Sequence, residues 1–156
     1  YLFFEHKALY RSHKETVFDD YFTTEVGKAR MVSEGEHLTI VTYGMGVYWS
    51  LDAMEKFKNF TADIIDLRTL QPWDKESVKS SVKKTSKLLI VHEDSITGGI
   101  GAEISAWVTE NCFRYLDGPI LRAGGLDTPI PFRKELEENF MPVGRIEEKL
   151  RLILNY

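Results

Sequence analysis

A single cysteine, Cys112, stands in 156 residues. A lone thiol builds neither an internal disulfide framework nor a cysteine-based zinc site, which fits a reducing compartment. No apolar run approaches the roughly 18 residues that a membrane span needs, and the first residues carry no signal-peptide pattern. Basic stripes are missing too. The 20 Lys and Arg, against 24 Asp and Glu for a net charge of −4, are spread along the chain, so the electrostatic footprint of a nucleic-acid binder is absent and basic partners are favoured over acidic ones. The expected setting is bacterial cytoplasm, or the mitochondrial matrix once a targeting segment is removed.

Several catalytic signatures are also lacking. A zincin needs His-Glu-x-x-His on one helix face, but the residue four after His92 is Ile96. A dinucleotide fingerprint needs a third glycine where Ile104 stands after Gly99 and Gly101, and the turn follows the third strand of the unit instead of the first. The one Gly-Lys pair, Gly27-Lys28, is followed by Ala29, so there is no Walker loop. No G-x-S-x-G elbow occurs, and Cys112 lies on the apolar side of a helical pattern, where it reads as core. No metal site is expected from these patterns.

What is present is a regular alternation from His37 onward. Apolar runs suited to strands, LTIVTY, ADIIDLRTL, KLLIVHE and PILRAGG, alternate with segments at helical spacing. Val47, Leu51, Met54 and Phe57 predict a helix from about Val47 to Lys58. Asp74 is placed as the N-cap of a helix carrying Val78 and Val82, and Ile100 to Leu116 is the longest helix. Short helices around Lys134 to Glu138 and at Ile146, Leu150 and Ile153 close the chain. This predicts a single α/β domain, a mainly parallel sheet covered by helices on both faces. The stretch before it differs. YLFFE reads as a strand entered midway, with no initiator methionine, as if the chain were a piece of something longer. The polar HKALYRSHKETVFDDYFTTEVGKARMVSEGE reads as a linker crossing a neighbouring domain. Residues 1–36 are thus set apart from 37–156.

One stretch concentrates the chemistry. VHEDSITGGIGAEI puts His92 at the carboxyl end of a buried strand, where α/β folds place ligands. An imidazole there can equally tie the loop by hydrogen bonds. Glu93 and Asp94 read as solvated or helix-capping carboxylates, and Gly98, Gly99 and Gly101 suit a tight turn and a close helix-to-sheet approach.

The segments TYGMGVYWSLDAMEKF, ADIIDLRTLQPWD, LLIVHEDSITGGIGAEI, CFRYLDGPILRAGGLDTPIPF and LRLILNY resemble, in order, the C-terminal half of the beta subunit of the thiamine-diphosphate-dependent 2-oxo-acid dehydrogenase component. HE followed by TGG and DTP is similar to the branched-chain (2-oxoisovalerate) members, while pyruvate or acetoin dehydrogenase beta subunits are the alternative. His6 departs from the proline many relatives have there. The resemblance implies a transketolase C-terminal-like fold, a three-layer α/β/α sandwich on a mostly parallel sheet with one antiparallel edge strand, and an oxidoreductase parent that passes an acyl group to lipoamide. It implies that thiamine diphosphate and magnesium are held outside this chain, whose sequence lacks the diphosphate-binding motif, and that the chain alone catalyses nothing. His92, Glu93, Gly98, Gly99 and Gly101 then become a loop at a domain or subunit contact. Asp117 and the terminal carboxylate of Tyr156 become the grip on the subunit-binding domain of the dihydrolipoamide acyltransferase. The bland reading of Asp117 is a residue that shapes its Asp-Gly-Pro turn.

Overall fold

The computed structural model describes residues 1–14, 16–17 and 19–156; Glu15 and Phe18, inside the stretch read as linker, lie outside the described residues. Five strands form one sheet in the order β1-β3-β2-β4-β5. They are β1 (Arg30–Ser33), β2 (Leu38–Thr42), β3 (Ala62–Asp66), β4 (Leu88–Ser95) and β5 (Leu121–Gly125). β2, β3, β4 and β5 run parallel to their neighbours, and β1 alone pairs antiparallel, on β3. The expected antiparallel edge strand is therefore present, and it comes from the stretch read as linker. YLFFE does not form a strand: Tyr1 to Phe4 are fully exposed, with no sheet partner among the described residues. A single turn, α1 (Leu9–Ser12), follows it.

Alternation along the strands builds two cores. Leu38, Ile40, Ala62, Ile64, Leu89, Val91 and Ala123 face α2 (Met45–Met54) and α6 (Val143–Ile153), meeting Ala53, Ile146, Leu150 and Ile153. Val41, Ile65, Leu88 and Ile90 face α3 (Lys75–Thr85) and α4 (Ile100–Cys112), meeting Val78, Val82, Ile104, Val108 and Cys112. Buried on both faces, the central strands read as continuous apolar runs. Cys112 is 1% exposed in this second core. A short α5 (Lys134–Phe140) lies outside both layers and buries Phe140.

Local chemistry sets the boundaries. Asp74 Oδ1 accepts the Ser77 N–H at 3.1 Å, the N-cap bond read from sequence, and Lys83 and Lys84 sit at the dipole's negative end. Ser86 ends that helix in the left-handed region at φ 59°. α2 stops at Met54, short of the expected Lys58, because Lys56 and Phe57 donate to Ala53 and Met54 as three-residue turns that fold Phe57 back toward the core. α4 stops at Cys112 instead of Leu116, its end tightened into a 3₁₀ turn over Phe113–Tyr115. Gly44, at φ 57° and ψ −131°, makes the β2-to-α2 turn in a conformation that residues with a Cβ rarely adopt.

A buried polar network anchors the opposite, amino end of the sheet. Asp63, 1% exposed on β3, accepts the Gly35 N–H at 2.9 Å, the Ser81 hydroxyl at 2.6 Å and the Lys84 ammonium at 2.7 Å. Thr39 joins through Ser81 and Thr85 at 2.6 and 2.7 Å. A carboxylate buried this deeply persists because each neighbouring group donates to it.

Candidate functional site

β4 runs further than KLLIVHE, to Ser95, so His92, Glu93 and Asp94 are all strand residues, paired to β5 across an irregularity between Val91 and Ser95. His92 is wholly buried on the α4 side. Its Nδ1 lies 2.9 Å from the Asp94 carbonyl oxygen, so Nδ1 carries the proton and Nε2 the lone pair. Nε2 is buried with no hydrogen-bond partner. Burial holds the imidazole's proton affinity below its ordinary value; the Asp94 carbonyl and carboxylate oppose this shift, and the charge of Arg122 adds to it. The ring is therefore neutral near pH 7.

Three glycines enclose this ring. A Cβ on Gly101 would stand 2.5 Å from Nε2, one on Gly124 would stand 2.8 Å from Cε1, and one on Gly99 would stand 3.0 Å from Cε1. At Gly101 the helix can approach the sheet only because no Cβ meets the imidazole, while at Gly99 the Ser95 carbonyl, 2.4 Å from where a Cβ would stand, is the tighter obstacle. Gly98 supplies the turn itself, at φ 77° with open space around it. Because His92 fills the space that a glycine phosphate cradle keeps open, these residues do not fit a diphosphate. Among the described residues, no group of three or more His, Cys, Asp or Glu could hold a metal ion. Nε2 faces the first turn of α4 at Gly101.

The loop after His92 is stitched to its surroundings. Thr97 donates through its N–H and hydroxyl to both Asp127 oxygens, at 3.0 and 2.6 Å, and these bonds lower that carboxyl's proton affinity. Glu93, half-buried, meets His6 Nε2 at 2.9 Å, so the departure at His6 touches the site loop directly. Tyr43, at the end of β2, is pushed up to about 12, first by burial and then by the fields of Asp94 and Glu93. Sequence reasoning misses both contacts, since neither His6 nor Tyr43 shares a motif with the loop it meets.

Asp117 and Tyr156, far apart in the chain, come together where the turn after α4 meets the end of α6. Asp117 is exposed, its N–H donating to the Ser86 carbonyl at 2.9 Å. The Tyr156 ring packs on the next residue: a Cβ at Gly118 would stand 3.1 Å from its Cγ and 3.2 Å from its Cβ. The glycine of the Asp-Gly-Pro turn is the seat of this aromatic ring, which remains 62% exposed.

With the fold and these positions in place, comparison with known proteins is decisive. The family model for "Transketolase, C-terminal domain" matches residues 27–145. The chain belongs to that family. Among its relatives, the 2-oxoisovalerate dehydrogenase subunit beta 2, mitochondrial, of Arabidopsis thaliana is 41% identical over 158 residues, covering 99% of this chain and 44% of that protein. The 2-oxoisovalerate dehydrogenase subunit beta of Bacillus subtilis is 41% identical over 143 residues, covering 90% and 44%. The pyruvate dehydrogenase E1 component subunit beta of Mycoplasma pneumoniae is 39% identical over 155 residues, covering 98% and 47%. This transketolase C-terminal domain therefore spans a little under half the length of these relatives. A solved structure titled "Split gene transketolase, inactive beta4 tetramer" shares its fold, with a TM-score of 0.74 and 24% identity over 93% of this chain and 47% of the other. Among the described residues no helix is long and apolar enough to cross a membrane.

Proposed function

We propose that the chain is the non-catalytic assembly domain of a thiamine-diphosphate-dependent 2-oxo-acid dehydrogenase beta subunit of the branched-chain, 2-oxoisovalerate type. Residues 1–36 would be the end of a preceding pyrimidine-binding domain and its linker, the last of them tied to the sheet by β1, and 37–156 the transketolase C-terminal-like domain. The parent decarboxylates 2-oxo acids and transfers the acyl group to lipoamide, with thiamine diphosphate and magnesium bound outside this chain. Its setting is bacterial cytoplasm or, in a eukaryote, the mitochondrial matrix.

The observation that carries this reading is the similarity, over nearly the whole chain, to 2-oxoisovalerate dehydrogenase beta subunits. Two features of the structure support an assembly role. Apolar side chains stand uncovered on two separate segments, Tyr1 to Phe4 and the loop bearing Ile130 and Phe132, as surfaces met by other domains or subunits would be. Asp117 and Tyr156 share one exposed corner, where a carboxylate can accept paired hydrogen bonds from an arginine of the dihydrolipoamide acyltransferase's subunit-binding domain. The stretch of His92, Glu93, Gly98, Gly99 and Gly101 serves as structural support beside a domain contact, through the hydrogen bond that His6 donates to the Glu93 carboxylate.

Steady-state kinetics on the intact parent tests the substrate class. A higher kcat/KM for 2-oxoisovalerate than for pyruvate is expected. The reverse order moves the assignment to the pyruvate dehydrogenase beta subunits, which are also among the relatives.

A further inference from the structure

We propose that the groove between the free edge of β5 and α6 binds a small oxyanion, a carboxylate or phosphate carried on a short aliphatic group. The groove has a volume of about 390 Å³ and is lined by three cations, Arg122, Arg145 and Lys149, and by the apolar side chains of Ile96, Ile120 and Leu121. That volume lies within the range of small-molecule sites. It lies away from the corner at Asp117 and adjoins the His92 loop through Ile96 and Gly124, and the assembly reading does not depend on it.

The charges in this groove are held in place without being neutralised. Arg145, half-buried, donates to the Gly124 carbonyl at 2.9 and 3.2 Å, to Asn139 at 3.1 Å and to Phe140 at 2.6 Å. Arg122, a charged side chain on a strand of the sheet, gives one bond, to the Ile96 carbonyl at 3.0 Å, leaving the rest of its guanidinium fork unused. Among the described residues neither arginine forms an ion pair with a carboxylate. Carbonyl dipoles orient a guanidinium but carry no net charge. Asp127, which feels the charge of Arg122, has both oxygens engaged by Thr97. Among the described residues, Lys149 pairs with its neighbour Glu148, at 3.2 Å, a side chain 69% exposed, and such a pairing in water contributes little.

Elsewhere the chain pairs a partly buried cation with an acid, as Lys84 with Asp63 at 2.7 Å. A groove with two fixed guanidinium groups and an ammonium therefore lacks its counter-charge, in a protein whose net charge is −4. The Arg122 fork, oriented by one backbone carbonyl and otherwise free, suits the paired oxygens of a carboxylate or phosphate, while Arg145, with most of its N–H groups bound to carbonyls, adds positive charge beside it. The apolar wall beside it suits a few aliphatic carbons and offers nothing to a larger polar ligand.

Calorimetric titration of the full chain with sodium 2-methylpropanoate and, separately, with sodium phosphate tests the proposal. Saturable one-site binding of at least one anion in the millimolar range is expected. Arg122→Gln should raise its Kd about tenfold or more, as loss of a charge-assisted bond does. Lys149→Gln, which removes one ammonium from the groove, should raise it about twofold to fivefold. Lys134→Gln removes the same charge from a side chain 84% exposed on α5 and should leave Kd unchanged. If Arg122→Gln fails to fold, judged by its thermal melt, Lys149→Gln decides alone. Tighter binding of 2-methylpropanoate assigns the site to carboxylates, and tighter binding of phosphate assigns it to phosphoryl ligands. Absence of saturable heat with both anions, or an equal loss in Lys134→Gln, overturns the proposal.

Discussion

Replacing Gly101 by alanine puts a methyl group 2.5 Å from His92 Nε2 and 2.8 Å from Cδ2, inside van der Waals contact on both counts. The ring cannot swing away, because Gly99 and Gly124 close on Cε1 from other sides and Nδ1 is held by the Asp94 carbonyl. Two effects oppose each other. Alanine is the better helix former, by about 1 kcal/mol, while forcing a methyl into a filled core costs about 1–3 kcal/mol. With the ring pinned, crowding prevails, and a net loss of about 1–2 kcal/mol is expected from the difference of these terms. The same change made in a His92→Ala background meets no ring, so it should be neutral or stabilising by up to about 1 kcal/mol. Urea unfolding followed by far-ultraviolet circular dichroism on the four proteins isolates the crowding term as the difference between backgrounds. A difference under about 0.5 kcal/mol, the ordinary scatter of independent sites, would refute the claim that Gly101 is there to admit the imidazole.

The same histidine gives a pH signature. Burial keeps its folded proton affinity below the ordinary value of 6.5, so the unfolded chain takes up the proton first as pH falls. The stability it contributes is complete above about pH 6.5 and declines below it until the folded value is passed. Urea midpoints measured from pH 7.5 to 5 should fall less steeply in His92→Gln than in the native chain; parallel slopes would contradict this. Asp63→Ala leaves the Gly35 N–H, the Ser81 hydroxyl and the Lys84 ammonium without their common acceptor. It should destabilise the chain by about 2–4 kcal/mol, discounted from the fully buried case because Lys84 reaches solvent. A loss under about 1 kcal/mol in the same unfolding assay would show that other acceptors replace it.

The parallel sheet was legible because its central strands are buried on both faces and so appear as unbroken apolar runs, LTIVTY and LLIV among them, between segments with helical spacing. The cap at Asp74 was legible because its chemistry is local. β1 was hidden: Arg30 and Met31 are exposed on an edge, so RMVS has no apolar pattern to distinguish it from linker. YLFFE misled for the converse reason, since apolar β-formers in sequence predict a strand only when another strand lies beside them. At the site, the glycine run showed that something approached closely, but not that the thing was His92, a partner nine residues earlier in order-of-magnitude terms whose ring orientation only the fold fixes. Asp117 and Tyr156 were named separately from a resemblance; their meeting across Gly118 depends on where α6 ends in space. The cationic groove had no local signature, because Arg122 and Arg145 come from a strand and a helix far apart in the chain.

The assembly role is tested most directly by surface plasmon resonance of the full chain against the isolated subunit-binding domain of a dihydrolipoamide acyltransferase. The account predicts specific binding to the native chain, weakened by about 2–5 kcal/mol in Asp117→Ala or on removal of Tyr156 where the charge pair is buried, chiefly through faster dissociation. Thermal melts of both variants should stay close to the native one, because Asp117 and Tyr156 are both exposed. Dissociation rates unchanged in both variants, or no binding to the native chain, would contradict it and leave Asp117 as the first residue of a turn.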